Sequence, residues 1–331
     1  MPSIVRFHQN GGPEVLKIED VDVPPPGPGE VTLQVKAIGV NRAESMFRTG
    51  RYIESAQFPA RLGYEAAGIV TALGSGVEAH ELAIGDAVSL VPPPSITRWG
   101  TYGELANVPA AYLVKHPATL TMTQAAAVWM QYVTAWGALV DLAQLERGDT
   151  LIVTAASSSV GIAAIQMARC LGAKVIATTR TGAKRDALLK AGAHHVIATQ
   201  EEDLVARVRE ITGGKGARVA FDPVAGPQFD AIAQALSEDS TAIVYGALSP
   251  DATPMPLFPM LGKRISVHGY TYKRVIHHAE RFARAKRFIL DALAEGRLAP
   301  VVDRTFALSD IVEAHRYLES NQQFGKIVVT V

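Results

Sequence analysis

The sequence predicts an α/β chain in which a small β domain is interrupted by a parallel sheet with helices on both faces. Three observations carry this prediction. The first third alternates apolar and polar positions in short runs bounded by Gly or Pro. From Asp149 onward, short continuous apolar runs alternate with helical segments, the pattern of strands covered on both faces. The closing stretch, "GKIVVTV", returns to β character, so the parallel-sheet part is inserted into the β part. With 331 residues, the chain is longer than one core usually supports.

Each element has its own signal. "VPPPGPGE" is a rigid entry to the alternating strand "EVTLQVKAIGV", and "AAGIVTALG" and "GDAVSLVPPP" are further short strands. Their spacing suits a small, irregular β domain or barrel. Near Thr121 the pattern changes: Thr121 and Gln124 have capping-box spacing, and "AAAVWMQYVTAWGALVDLA" continues with helical character. "TLIVTAA" is a strand, followed by a helix from about Ser159 to Leu171 that Gly172 closes. "KVIATT" comes next, then a helix running to Gly192, and "HHVIA", "RVAFD", "TAIVYGA" and "RISVHGY" continue the strand series. Phe282, Ile289 and Leu293 mark an amphipathic helix, and a short helix from about Ser309 precedes the last strand. The expected domains are residues 1–122, 123–268 and 269–331, the last returning to the first.

Composition narrows the function classes. Hydrophobic residues make up 48% and charged residues 19%, and Lys plus Arg balances Asp plus Glu at 32 each. Nothing in that balance asks for nucleic acid or an anionic membrane surface. The single cysteine, Cys170, excludes an internal disulfide and a four-cysteine zinc site, and its apolar neighbours suggest a buried, inert thiol. No stretch approaches the ~20 apolar residues of a membrane span, and no signal peptide is evident, so a cytoplasmic location is expected.

The stretch "TAASSSVGIAA", Thr154–Ala164, lies where a strand runs into a helix. A nucleotide pyrophosphate needs unpaired N–H groups at such a helix start, where the dipole is also positive. Here Ser157, Ser158, Ser159 and Val160 stand where glycines are usual, and only Gly161 remains for close helix–strand packing. As an isolated string it reads equally as an ordinary serine-capped helix. Its context, a strand before and a second strand end about twenty residues later, favours a dinucleotide. That second end reads "VIATTRTGAK": Thr179, Arg180 and Lys184 suit a 2′-phosphate better than bare ribose hydroxyls, which points to NADPH.

Taken in order, "GPEVLKIEDVDVPPPGPGEVTLQVKAIGVN", "LGYEAAGIVTALGSGV", "AIGDAV", "TAWGAL", "AASSSVGIAAIQMARCLGAKVIATT" and "FGKIVV" resemble the medium-chain dehydrogenase/reductases, specifically the zinc-independent quinone oxidoreductase (zeta-crystallin-like) branch. The resemblance covers nearly the whole chain. It implies a GroES-like β domain split by a Rossmann domain with a doubly wound parallel sheet, and a homodimer with "RISVHGY" as a plausible pairing strand. Zinc enzymes of the superfamily carry Cys in "GVC" and His in "GHE"; this chain has Asn41 in "GVN" and Tyr64 in "GYE", and only Glu65 survives. Asn and Tyr are poor zinc ligands, and no metal is expected. All nine histidines, His80 included, read as surface or core residues.

Without a metal, hydride transfer needs an acceptor that delocalises charge, such as a quinone or an α,β-unsaturated carbonyl compound, with neutral hydrogen-bond donors at its oxygen. Asn41, Tyr52 and Tyr64 are the candidate catalytic residues. The family's matching Asn and its Tyr at Tyr52 border nicotinamide and substrate, whereas a second family tyrosine falls at Met46. Tyr52 and Tyr64 read equally as packing residues, Glu44 as solvated and Arg48 as a salt-bridge partner. Thr134 matches a family position facing the cofactor, and Gly246 and Ala247 end a strand where ligands bind in open α/β sheets. Trp99 and Trp129 fit either pocket or core. The reading is an NADPH-dependent reductase with a small-molecule substrate. Two alternatives stay open: an alcohol dehydrogenase of the zinc type, and a non-catalytic NADPH-binding protein.

Overall fold

The computed structural model describes residues 1–78 and 81–331. The chain forms two compact units, Met1–Met130 with Pro300–Val331, and Gln131–Ala299.

Along the first unit run β1 (Ser3–Phe7), β2 (Lys17–Asp20), β3 (Glu30–Val40), helix α1 (Arg42–Arg48), β4 (Ala60–Arg61), β5 (Glu65–Leu73), β6 (Ala87–Leu90), β7 (Leu105–Pro109), β8 (Leu113–Lys115) and the short helix α2 (Met122–Ala125). Helix α3 (Trp129–Trp136) contains the division between the units. The second unit continues with β9 (Thr150–Val153), α4 (Ser159–Leu171), β10 (Lys174–Thr179), α5 (Arg185–Ala191), β11 (His195–Ala198), α6 (Leu204–Ile211) and β12 (Ala217–Asp222). Then come α7 (Gln228–Ala235), β13 (Leu236–Val244), α8 (Leu257–Lys263), β14 (Ser266–Gly269), α9 (Lys273–Ile276) and α10 (Ala279–Ala294). The chain returns to the first unit with β15 (Val302–Ala307), α11 (Ile311–Ser320) and β16 (Lys326–Thr330).

In the first unit, β2, β1 and β4 make a small sheet, and a larger one runs β15-β16-β3-β5-β6-β8 with β7 also paired to β3. The long strand β3 organises this sheet. It is antiparallel to β5, with Gly39 opposite Glu65, and to β16, with Val40 opposite Ile327. The return of the C-terminal chain as β16 is therefore a structural necessity: without it one edge of β3 would leave its N–H and C=O groups unpaired.

The second unit is a six-stranded sheet in the order β11-β10-β9-β12-β13-β14, with every neighbouring pair parallel. Ile152, Ile176, Ile197, Ala220 and Ala242 lie in its core with Phe229 and Ile232 of α7, which is why these strands read as unbroken apolar runs. The strand order reverses between β9 and β12, and ligands of open α/β sheets bind outside the carboxyl ends of the strands at such a point. Helix α4 has the expected bounds, with Ser158 as N-cap and Gly172 closing it at φ 76°. That left-handed backbone is easy only for glycine.

Three expectations need correction. The compact units divide after Met130 and Ala299, against expected boundaries at 122/123 and 268/269. Residues 269–299 pack with the parallel sheet because α10 buries Phe282, Ala285, Ile289 and Ala292. The helical stretch after Thr121 is not continuous. Thr121 caps the single turn α2, accepting from Gln124 N–H at 3.2 Å, and α3 starts afresh at Trp129 before widening over Gly137–Leu142. Cys170 is half-buried, because its position on α4 lies at the edge of the packed face, 3.7 Å from the Arg297 carbonyl oxygen.

A Cβ at Gly161 would lie 2.6 Å from Ala156 O and 2.7 Å from its Cα, so α4 packs this closely on the loop only with glycine there. Backbone cannot yield as a side chain can. Gly161→Ala is expected to destabilise the protein by about 1–3 kcal/mol in denaturant unfolding; an unchanged midpoint would contradict this packing.

Candidate active site

At the carboxyl end of β9 the chain turns through Thr154 to Ser158 before α4 begins. Ala155 takes φ +45°, an unusual angle for a residue with a side chain, and turns the serines toward the helix start. The Ser158 hydroxyl accepts from Gly161 N–H at 3.1 Å, satisfying one of the four donors that a helix start leaves unpaired. Ser157, Ser159 and Val160 are half-buried and Gly161 is buried. Thr154 donates to Asp222 at the end of β12, and Asp222 also accepts from Val224 and Ala225 N–H at 3.0 and 2.9 Å. This fully buried carboxylate ties the two strand ends at the reversal point together. Sequence reasoning missed it, although a lone Asp ending the apolar run "RVAFD" was a signal.

The second strand tip meets this loop directly. Lys184 Nζ donates to Ser157 Oγ at 3.2 Å; Thr179 is half-buried, and Arg180 is exposed. Glu201 bounds the tip on one side, accepting from Gly182 N–H at 3.0 Å. Gly246 and Ala247 follow β13, and a Cβ on Gly246 would lie 2.8 Å from Pro223 O. Tyr245, just before them, stacks flat on Phe221 with centroids 3.9 Å apart. Its hydroxyl, buried beside Ser158, has no hydrogen-bond partner of good geometry, and burial pushes its pKa up. A donor-rich helix start, a nearby ammonium and an orphaned hydroxyl fit a pyrophosphate and a 2′-phosphate.

The first unit holds a different kind of site. Gly39 has no side chain, and a Cβ there would sit 2.8 Å from Glu65 Cγ and 2.2 Å from Ala126 O. The Glu65 side chain uses that space to cross β3 from β5. On the far side it forms an ion pair with Lys326 of β16, and both side chains are fully buried. Glu65 Oε2 also accepts from Met130 N–H at 3.0 Å. Lys326 Nζ donates to Asn41 Oδ1 at 2.6 Å, while Asn41 Nδ2 donates to Gly39 O at 3.1 Å and reaches Glu44 and Glu65 at 3.3 Å.

Asn41 is the N-cap of α1, and Glu44 at the third helical position returns to accept from Asn41 N–H at 2.7 Å. Glu44 also accepts from Tyr64 N–H at 2.9 Å and from the Tyr102 hydroxyl at 2.7 Å. The solvated reading of Glu44 is therefore wrong, since the side chain is fully buried as the hub of four donors. The signal was present as capping-box spacing, Asn41-x-x-Glu44. Arg48 is equally buried and pairs with Glu319 and the Gly11 carbonyl.

Tyr64 is fully buried, and its hydroxyl lies 3.0 Å from that of half-buried Tyr52, with the rings edge-on at 6.2 Å. Burial pushes the Tyr52 hydroxyl up to about 12. Tyr52, Tyr64 and Asn41 thus form one connected group. Thr134 is buried on α3 in the other unit. Trp129 is core, donating to Ser89 Oγ at 2.8 Å, and Trp99 is held by Glu30 at 3.0 Å.

A zinc ion does not fit this donor set. Asn41 Oδ1 and the Glu65 carboxylate already receive the Lys326 ammonium, which would repel a dication. Among the described residues no group of three or more His, Cys, Asp or Glu could hold a metal. His315 is buried 3.1 Å from the Tyr102 hydroxyl, and burial lowers its pKa to about 3. His80 lies outside the described residues.

Burial outweighs the donors around Glu44 and raises its pKa from 4.5 to about 6. A carboxyl whose native pKa is raised binds its proton more tightly when folded. Its stabilising contribution is complete below pH 4.5 and lost as pH rises through 6. Relative to Glu44→Gln, the wild type is expected to lose on the order of 2 kcal/mol of unfolding free energy across that interval. Urea unfolding at several pH values checks this, and a flat or rising difference would contradict it.

Two family models match the chain: one described as an alcohol dehydrogenase GroES-like domain over residues 27–118, and one described as zinc-binding dehydrogenase over residues 159–290. Quinone oxidoreductase 1 of Escherichia coli (strain K12) is 33% identical over 333 residues, 98% of each chain. A 2-haloacrylate reductase of a Burkholderia species is 32% identical over 330 residues, 98% of this chain and 97% of that one. The crystal structure of Escherichia coli quinone oxidoreductase complexed with NADPH aligns with a TM-score of 0.92 at 32% identity, covering 99% of this chain and 100% of the other. The chain belongs to the medium-chain dehydrogenase/reductase superfamily, in its quinone oxidoreductase branch.

Proposed function

We propose that the protein is a zinc-independent, NADPH-dependent reductase of quinones or α,β-unsaturated carbonyl compounds. The observation that carries this reading is the contact of Lys184 with Ser157, which brings a cation from the second strand tip to the phosphate loop. Arg180 at the same tip adds a second cation, suited to a 2′-phosphate. The E. coli relative solved with NADPH supports the same cofactor here. The Burkholderia relative, named for reducing 2-haloacrylate, supports an activated alkene beside a quinone as acceptor.

Bound NADPH supplies a hydride, and the chain supplies binding and hydrogen bonds. Ser157–Gly161 hold the pyrophosphate, with Thr179, Arg180 and Lys184 at the ribose phosphate. Thr134, Gly246 and Ala247 line the remainder. Tyr52 is the donor to the acceptor oxygen: half-buried, it reaches the surface, whereas Tyr64 lies wholly behind it. When Tyr64 donates to Tyr52, the Tyr52 hydrogen is left to give away. With a pKa of about 12, Tyr52 stays protonated at neutral pH and stabilises developing oxyanion charge. Asn41 spends its amide on internal bonds and acts by holding the segment. Met46, half-buried where the family has a tyrosine, makes the adjoining wall apolar.

The same reading includes a homodimer. β14 is the edge strand of the six-stranded sheet, and the preceding helix exposes Leu257, Phe258 at 85% and Leu261. Sedimentation equilibrium is expected to give twice the chain mass, and a single-chain mass would contradict pairing. A cytoplasmic location accompanies the reading, consistent with one unpaired thiol.

Fluorescence titration tests the cofactor assignment. Arg180→Ala is expected to weaken NADPH binding roughly 10- to 100-fold while leaving NADH binding unchanged, and Lys184→Ala, which also frees Ser157, to weaken NADPH binding by a similar factor and NADH binding less. Binding of neither nicotinamide by the wild type would overturn the reading.

A further inference from the structure

The ion pair of Lys326 and Glu65 is a fully buried pair of charges in the first unit that hydride transfer does not use. Taking two charges out of water is costly, and an apolar pair of similar volume is often at least as stable. What distinguishes this pair is where its contacts go. Register puts Lys326 beside Asn41, since Ile327 pairs with Val40 and Asn41 continues from Val40 in extended backbone before α1 begins. Glu65 arrives from the opposite edge, opposite Gly39. The ammonium donates to the Asn41 amide oxygen and to Glu65, and the amide nitrogen then faces Gly39 O, Glu44 and Glu65.

The orientation of an Asn amide is decided by its strongest partner. A cation accepts nothing, so Lys326 forces the oxygen toward itself and turns the amide hydrogens toward the Gly39 carbonyl and the two carboxylates. Glu44, held by that amide and by Asn41 N–H, in turn fixes Tyr64 N–H, and Tyr64 is covalently next to Glu65. The Tyr64 hydroxyl backs Tyr52 at 3.0 Å.

We propose that Lys326 is a positioning residue for the reductase reaction: its ammonium sets the Asn41 amide and Glu65, and through them the backbone of Tyr64 and the Tyr64–Tyr52 hydroxyl pair. This rests on the reductase reading above. Lys326 touches neither cofactor nor acceptor. It acts from β16, the segment in which the chain returns to complete the sheet.

The test is the double variant Lys326→Met/Glu65→Gln, because Lys326→Met alone strands a buried carboxylate. Circular dichroism reports folding, and NADPH titration reports the second unit. The Asn41 side-chain amide is followed in protein carrying 15N-asparagine, its signal assigned by loss in Asn41→Ala. The folded variant is expected to bind NADPH within about twofold of wild type, since the phosphate loop lies in the other unit. Hydrogen exchange of the Asn41 amide is expected to quicken at least about tenfold as the Lys326–Glu65 pair that holds both its ends is lost. With a quinone, kcat is expected to fall roughly 10- to 100-fold while KM changes little. Unchanged exchange would overturn the proposal whatever the turnover, and so would quickened exchange with unchanged kcat. A wild type that turns over no quinone or enone would overturn the reductase reading itself, and with it the catalytic half of the proposal; the exchange result would still decide whether Lys326, paired with Glu65, orients Asn41.

Discussion

The Glu65–Lys326 ion pair passes over β3 at Gly39, and the arrangement of the first unit follows from that crossing. A side chain on Gly39 would block it. A shift of β16 by one residue would turn Lys326 to the other face of the sheet, since side chains alternate along a strand. The pair also anchors Met130 N–H, next to the division between the units. Here the Lys326 ammonium joins β16 to Asn41 at the end of β3 and to Glu65 of β5.

The second unit solves a separate problem by separate means. Parallel strands converge on the reversal between β9 and β12, where Asp222 fastens the two strand ends and Gly161 lets α4 pack against the loop. The serines then serve where glycines are usual. Ser158 caps the helix, and Ser157 receives Lys184, so the loop is stiffened by hydroxyl bonds. Arg180 and Lys184 oppose the helix dipole unless an anion is bound, which gives their placement a physical reason.

Much of this was legible in the sequence because it rests on local signals. The bounds of α4, its closing glycine and the strand series follow from periodicity and caps. Tyr52, Tyr64 and Asn41 were individually visible, and the structure brings them into one hydrogen-bonded group. Lys326 was not visible, because its meaning depends on the register of β16 against β3, which no local pattern specifies. A surviving Glu65 without a metal did, however, call for a buried cation somewhere. Glu44 escaped because a capping box reads as a surface motif, and only the folded chain buries it under Tyr102. The division after Ala299 escaped for a similar reason: the amphipathic stripe of α10 was clear, but which sheet it covers was not.

The most direct measurement of the central claim is turnover of NADPH with a quinone by chelator-treated protein, with metal content determined on the same sample. The account predicts full activity with no stoichiometric metal and a preference for NADPH over NADH. Zinc bound one per chain, with activity lost on chelation and restored by zinc, would contradict it.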